Sequence, residues 1–124
     1  MLEEVRKVAQ QKGVEGARRW FADDQMDLIV WYSASGRISG FELCYDKEGD
    51  EHSLLWRGGR LTHAAVDQGE DLPTDNRSPI VVSGRRPPPR RVLAEFRKRA
   101  EKLEREIAEL VIAQLKNALV SRKR

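Results

Sequence analysis

The spacing of apolar residues changes twice along the chain. Leu2, Val5 and Val8/Ala9 recur at helical intervals, with Glu3 and Glu4 in the first turn and Lys12-Gly13 as a stop, so a short N-terminal helix is expected over residues 1–13. Residues 14–24 are ambiguous, since Trp20-Phe21 fits a short strand or a packed loop. Four runs rich in aliphatic and aromatic residues follow, at 27–34, 37–46, 51–57 and 60–67. Ser35-Gly36, Glu48-Gly49 and Gly58-Gly59 separate them and are hairpin signals, so an antiparallel meander is predicted. A polar loop then leads to a short fifth strand at 79–83, and the Gly-Arg-Arg-Pro-Pro-Pro run at 84–89 is expected to be an extended connector. The spacing changes again at Val92. Val92, Phe96, Ala100, Leu103, Ile107, Leu110/Val111, Leu115 and Ala118/Leu119 form one helical stripe within a segment at 90–121. At 1.5 Å per residue a single helix of about 30 residues would span roughly 45 Å, longer than a small sheet. Either it breaks near Lys102, giving two helices, or its far end packs on another chain.

The hairpin turns also fix the register, because a slip of one residue would send every side chain to the other face. A two-residue Gly58-Gly59 loop sets Trp56 opposite Leu61, Leu54 opposite His63 and His52 opposite Ala65. The Glu48-Gly49 turn sets Tyr45 opposite His52, Leu43 opposite Leu54 and Phe41 opposite Trp56. Ser35-Gly36 sets Val30 opposite Phe41 and Leu28 opposite Leu43. The three turns agree on one apolar face running from Leu28 to Ala65, which is the expected core. The opposite face is mixed. It carries Ile29, Trp31, Cys44, Leu55, Arg57 and Arg60, and Trp31 falls across from Gly40, where the missing side chain leaves room for an indole. Uncovered, Ile29, Trp31 and Leu55 would make an apolar surface patch suited to a protein contact.

Composition narrows the class. The 124 residues are 40% hydrophobic and 35% charged, which suits one folded domain over 1–124 and does not suit a disordered chain. No apolar run approaches the roughly 18 residues of a membrane span. Met1-Leu2-Glu3-Glu4 does not open like a signal peptide, and the single Cys44 has no internal disulfide partner, so a cytoplasmic protein is expected. The net charge of +3 hides a division: residues 1–84 hold 10 Lys/Arg against 15 Asp/Glu, whereas 85–124 hold 13 against 5. The two parts should attract each other, within one chain or between two. A basic segment of this kind also suits nucleic acid.

Three constellations bear on chemistry. His52, His63, Asp50 and Asp67 fall on one side of one hairpin and have the donor types of a divalent metal site, but no ligand-spacing motif accompanies them. Packed core histidines, each satisfying one hydrogen bond, explain them better, and no metal or cofactor is assigned. Residues 46–51 are as acidic as a calcium loop, yet the glycine stands fourth instead of sixth and Arg57 occupies the twelfth place. Arg85, Arg86, Arg90, Arg91, Arg97 and Lys98 could meet phosphates, although Glu95, Glu101, Glu104, Glu106 and Glu109 are interleaved along the same helix and no aromatic residue lies among the arginines. No phosphate loop, dinucleotide fingerprint, Gly-x-Ser-x-Gly or Cys-x-x-Cys is present, and Cys44 has no histidine on its face to activate it. No motif assigns an enzymatic step.

Trp20-Phe21, the run Asp27-Leu28-Ile29-Val30-Trp31-Tyr32, Tyr45-Asp46, His52 with Trp56, His63, the run Val66-Asp67-Gln68-Gly69-Glu70 and Ser78-Pro79-Ile80 together resemble small bacterial proteins of uncharacterised function. The resemblance covers about residues 20 to 115. It implies a bacterial α+β domain and supplies no activity, ligand or site.

The expected fold is therefore α+β: an antiparallel meander of four to five strands, one face covered by one long or two shorter C-terminal helices, and a short N-terminal helix beside it. The expected function is a non-enzymatic interaction module that self-associates as a homodimer through Ile29, Trp31 and Leu55. Its alternatives are a nucleic-acid module acting through the basic segment and a metal-dependent enzyme using His52 and His63.

Overall fold

A computed structural model of the chain describes residues 1–5, 17–49, 51–65, 78–79 and 88–121. The described strands are β1 (Glu3–Glu4), β2 (Arg18–Ala22), β3 (Asp27–Tyr32), β4 (Ile38–Tyr45), β5 (His52–Arg57), β6 (Arg60–Ala65) and β7 (Ser78–Pro79). They pair in sequence order, each antiparallel to the next, in one open sheet. Helices α1 (Arg90–Arg99) and α2 (Arg105–Ser121) follow.

Every cross-strand pair expected from the turns is present. Val30 faces Phe41, Leu28 faces Leu43, Phe41 faces Trp56, Leu43 faces Leu54, Tyr45 faces His52, Trp56 faces Leu61, Leu54 faces His63 and His52 faces Ala65. The turns supply the conformations this requires: Gly58 and Gly59 both take positive φ, as a two-residue hairpin loop demands, and so does Gly36. One irregularity, between Trp31 and Tyr32, brings Tyr32 opposite Ile38.

The core lies between the inner face of the sheet and both helices. Phe21, Leu28, Val30, Phe41, Leu43, Tyr45 and Leu54 are buried in one cluster with Val92, Phe96, Ile107, Val111, Leu115 and Ala118. The stripe read from the sequence is the stripe that is buried, including Ala100 and Leu103 in the break between the helices.

That break has an identifiable cause, although no Gly or Pro interrupts the sequence there. In a continuous helix the Leu103 amide would donate to the Arg99 carbonyl. Instead Leu103 donates to the Ala100 carbonyl at 3.0 Å, and the Arg99 carbonyl accepts the Leu2 amide at 2.9 Å. The N-terminal segment takes a helix acceptor, the chain turns, and α2 restarts over the same sheet.

The expected helix over residues 1–13 needs correction. Glu3–Glu4 is an edge strand, with Glu3 opposite Ala22 and Glu4 opposite Phe21. The Val5 amide donates to the Trp20 carbonyl at 2.7 Å, and Leu2 is fully buried. Pairing with the free edge of β2 overrides a weak local helical signal; residues 6–13 lie outside the described residues. The sheet also exceeds four to five strands, because Trp20-Phe21 belongs to a strand and β1 extends the edge beyond it. Of the expected strand at 79–83 only Pro79 is described, in β7, and the connector at 84–89 is described from 88 onward.

Candidate functional sites

Sheet register gathers three flat side chains where β4, β5 and β6 meet. Tyr45 pairs directly with His52, and His63, one strand further on, is the diagonal neighbour of His52. Ring centroids are 5.8 Å apart for Tyr45–His52, 5.9 Å for Tyr45–His63 and 5.3 Å for His52–His63, with interplanar angles of 16°, 11° and 26°. The Tyr45 hydroxyl lies 2.6 Å from His63 Nε2 and donates to it when the ring proton sits on Nδ1. Tyr45 is buried, while both histidines are half-buried. Such a stack can hold a hydrogen-bonded Tyr–His pair against the core. The sequence placed the two histidines side by side but missed the hydroxyl–imidazole bond. Asp50 and Asp67, their expected companions, lie outside the described residues, and no group of three or more His, Cys, Asp or Glu among those described is placed to hold a metal ion.

Charges are sorted along the strands. The end of the sheet holding the β2–β3 and β4–β5 turns is acidic, with Glu3, Asp23, Asp24, Asp27, Asp46 and Glu48. Helix α1 and the residues after it answer this end. Arg91 donates to both Asp46 oxygens at 3.0 and 2.6 Å, Arg99 reaches Asp23 at 2.8 Å and Asp24 at 3.3 Å, and Lys102 reaches Glu3 at 3.1 Å. The attraction between the acidic and basic parts of the sequence therefore acts within the chain. Burial pushes the Asp23 carboxyl up. The Arg99 guanidinium and the Gln25 and Met26 amides outweigh it and hold the group well below the ordinary value. The hydrogen-bonded Arg91 guanidinium likewise lowers Asp46. Of the residues expected to meet nucleic acid, Arg91 is engaged in this way, Arg90, Arg97 and Lys98 are exposed, and Arg85 and Arg86 lie outside the described residues.

The outer face of the sheet is different. None of Trp20, Ile29, Trp31 and Leu55 packs against the core cluster that contains the helices. Trp20, Ile29, Glu42, Leu55 and Thr62 form a central row across β2 to β6, in which Trp20 is 38% exposed and Glu42 accepts a 2.6 Å bond from the Ser53 hydroxyl. The neighbouring row is Arg18, Trp31, Gly40, Arg57 and Arg60. Here the sequence expectation is half met. Trp31 does face Gly40, but the room over the glycine is used by Arg57, whose guanidinium carbon lies 4.9 Å from the centre of the Trp31 ring, two strands away. A glycine in the middle of a strand was the legible signal; the exposure of Trp20 had none.

Compared with known proteins, the chain matches no family model, no curated protein and no solved structure. Among the described residues no helix is long and apolar enough to cross a membrane.

Proposed function

We propose that this protein is a non-enzymatic interaction module that pairs with a second copy through the central row of its outer sheet face. The observation that carries the reading is that Trp20, Ile29 and Leu55 share one row on the face away from the helical core. Stacking a second sheet on such a row makes a sandwich core of ordinary thickness, about 10 Å. A second copy offers the same row about a two-fold axis, so one patch serves both partners. The gain is about 25 cal/mol per Å² of apolar area before the costs of association, which favours a dimer of modest affinity. Trp31, partly covered by Arg57, lies at the margin of this contact.

Sedimentation velocity at micromolar concentration tests the reading. The expected result is a concentration-dependent shift from 14.2 kDa toward twice that mass, abolished by Leu55→Asp with the far-ultraviolet circular dichroism retained. A single 14.2 kDa species at every concentration overturns it.

A further inference from the structure

Two arginines of the outer face have no counter-ion among the described residues. Arg57 and Arg60 stand directly opposite each other beside the Gly58-Gly59 turn, and like charges so placed repel. Both are exposed, and neither forms an ion pair with a described residue. Arg57 lies over the Trp31 ring, which holds its guanidinium on the outer face. Residues 31–41 and 56–65, which build this end of the sheet, contain no Asp or Glu, and the exposed Arg37 of the β3–β4 turn adds a third cation there.

At the opposite end the sign reverses. Glu48, in the β4–β5 turn, is exposed, and Glu51, just before β5, falls on the outer face by alternation with Ser53 and Leu55. Neither forms an ion pair with a described residue, and Asp24 in the neighbouring turn stays 72% exposed beside Arg99. From Arg57 to Glu51 the strand runs roughly 20 Å, well beyond the screening length of about 8 Å at physiological salt. The two ends therefore do not neutralise each other within one copy.

The pairing proposed above lays one outer face on another, so its two-fold axis lies in the plane of contact. Two settings keep the strands of both sheets aligned. With the axis along the strands, the arginine end of each copy lies on the arginine end of the other, and acid lies on acid. With the axis along the central row, the strands run in opposite directions and the arginine end of each copy lies on the acidic end of the other. Glu42, in the middle of the row, meets its own copy in both settings and does not choose between them. The apolar residues favour the second setting: it lays Trp20, Ile29 and Leu55 each on its own copy, whereas the first sets Trp20 on Thr62. Arg57 lies two residues to one side of Leu55 and Glu51 four to the other, so reversal leaves about 7 Å between them along the strand, with the sheets about 10 Å apart. Extended arginine and glutamate side chains close that gap from both sides.

We propose that the second copy docks with its strands reversed, so that Arg57 and Arg60 of each copy meet Glu48 and Glu51 of the other. This rests on the pairing through the central row and adds its orientation and its dependence on charge.

Sedimentation velocity of the full chain and its charge-reversed variants makes the test, with circular dichroism and melting to show that each variant folds. The dimer should weaken between about 0.1 and 1 M salt, as the screening length falls from about 10 to 3 Å. Arg57→Glu with Arg60→Glu should raise its dissociation constant at least about tenfold, and so should Glu48→Lys with Glu51→Lys, since each sets like charges against each other at both ends of the contact. The variant carrying all four substitutions should pair about as tightly as the parent, because both charges are exchanged; a merely structural loss at Arg57 would not be restored in this way. A dimer unchanged or tightened by either reversal overturns the proposal, as does a four-residue variant no tighter than the two-residue ones. If Leu55→Asp still abolishes the dimer in that case, the pairing stands and only its orientation falls. A 14.2 kDa species at every concentration and salt overturns both.

Discussion

Gly40 decides how one row of the outer face is built. A β-carbon added there would lie 2.7 Å from the Trp56 carbonyl oxygen and 3.3 Å from Arg57 Cγ. The first contact is with backbone, so the strand itself would have to move; the second would lift Arg57 off the Trp31 ring. Gly40→Ala is expected to cost about 1–3 kcal/mol, the usual range for overpacking, and to change tryptophan emission in the folded state. A thermal melt with fluorescence detection checks both, and an unchanged midpoint would show that β4 and β5 part without strain. This single position also marks where sequence reading stopped. The absent side chain opposite Trp31 was visible, because register follows from turn residues. What would occupy the space was not, because Arg57 arrives from two strands away and no local pattern encodes that reach.

At the scale of elements, the meander was legible and the two ends of the chain were not. Three glycine-bearing turns specify β3 to β6 with their register, since each fixes its hairpin locally. The helical stripe was equally plain, because Val92 to Ala118 repeats at the period of a helix facing a core. β1 has no such local code. Leu2 and Val5 are spaced as in a helix, and only the open edge of β2 makes the segment a strand. The division of the helical segment has the same origin: Leu2 takes the Arg99 carbonyl that Leu103 would otherwise use. Arg19 adds a second tie, donating to Glu4 at 2.9 Å and to Glu104 at 3.0 Å, so β1, β2 and the start of α2 share one guanidinium. Leu2→Ala removes a fully buried side chain at this junction. It should lower unfolding free energy by about 3 kcal/mol, measured by urea denaturation, and a loss below about 1 kcal/mol would mean that the segment is not held by its core contact.

For the whole molecule, sorted charge is the feature that local reading could detect in total but not in place. Counting separated an acidic part from a basic one; only the fold shows Glu3, Asp23, Asp24 and Asp46 at one end of the sheet, met by Arg91, Arg99 and Lys102. The consequence for stability has a definite sign. Asp23 and Asp46 have folded values below the ordinary carboxylate value, so near pH 4 and below the unfolded chain binds more protons than the folded one. Their contribution is complete above the unfolded value of about 3.9 and is lost as pH falls toward their folded values. Unfolding free energy should therefore be level near neutrality and decline below about pH 5. Asp23→Asn should be less stable at pH 7 and show a shallower decline, by urea melts across that range. An identical slope in the variant would remove Asp23 from the account. The Tyr45–His52–His63 stack was partly legible for the reason the meander was: alternation put both imidazoles on the inner face. The bond from a buried hydroxyl to one of them depends on side-chain reach, which alternation does not report.

The amide of Leu2 and the carbonyl of Arg99 meet from almost opposite ends of the described chain, whereas the hairpins from β3 to β6 close through turns of a few residues. Short closures cost little chain entropy and long ones cost more, and slowly formed contacts are the distant ones. On a ribosome the hairpins can pair as they emerge, but the clasp between the first residues and the first helix must wait until that helix has been made. Until then the Arg99 carbonyl lacks its Leu2 partner, so the break between the two helices is set only after the hairpins have paired.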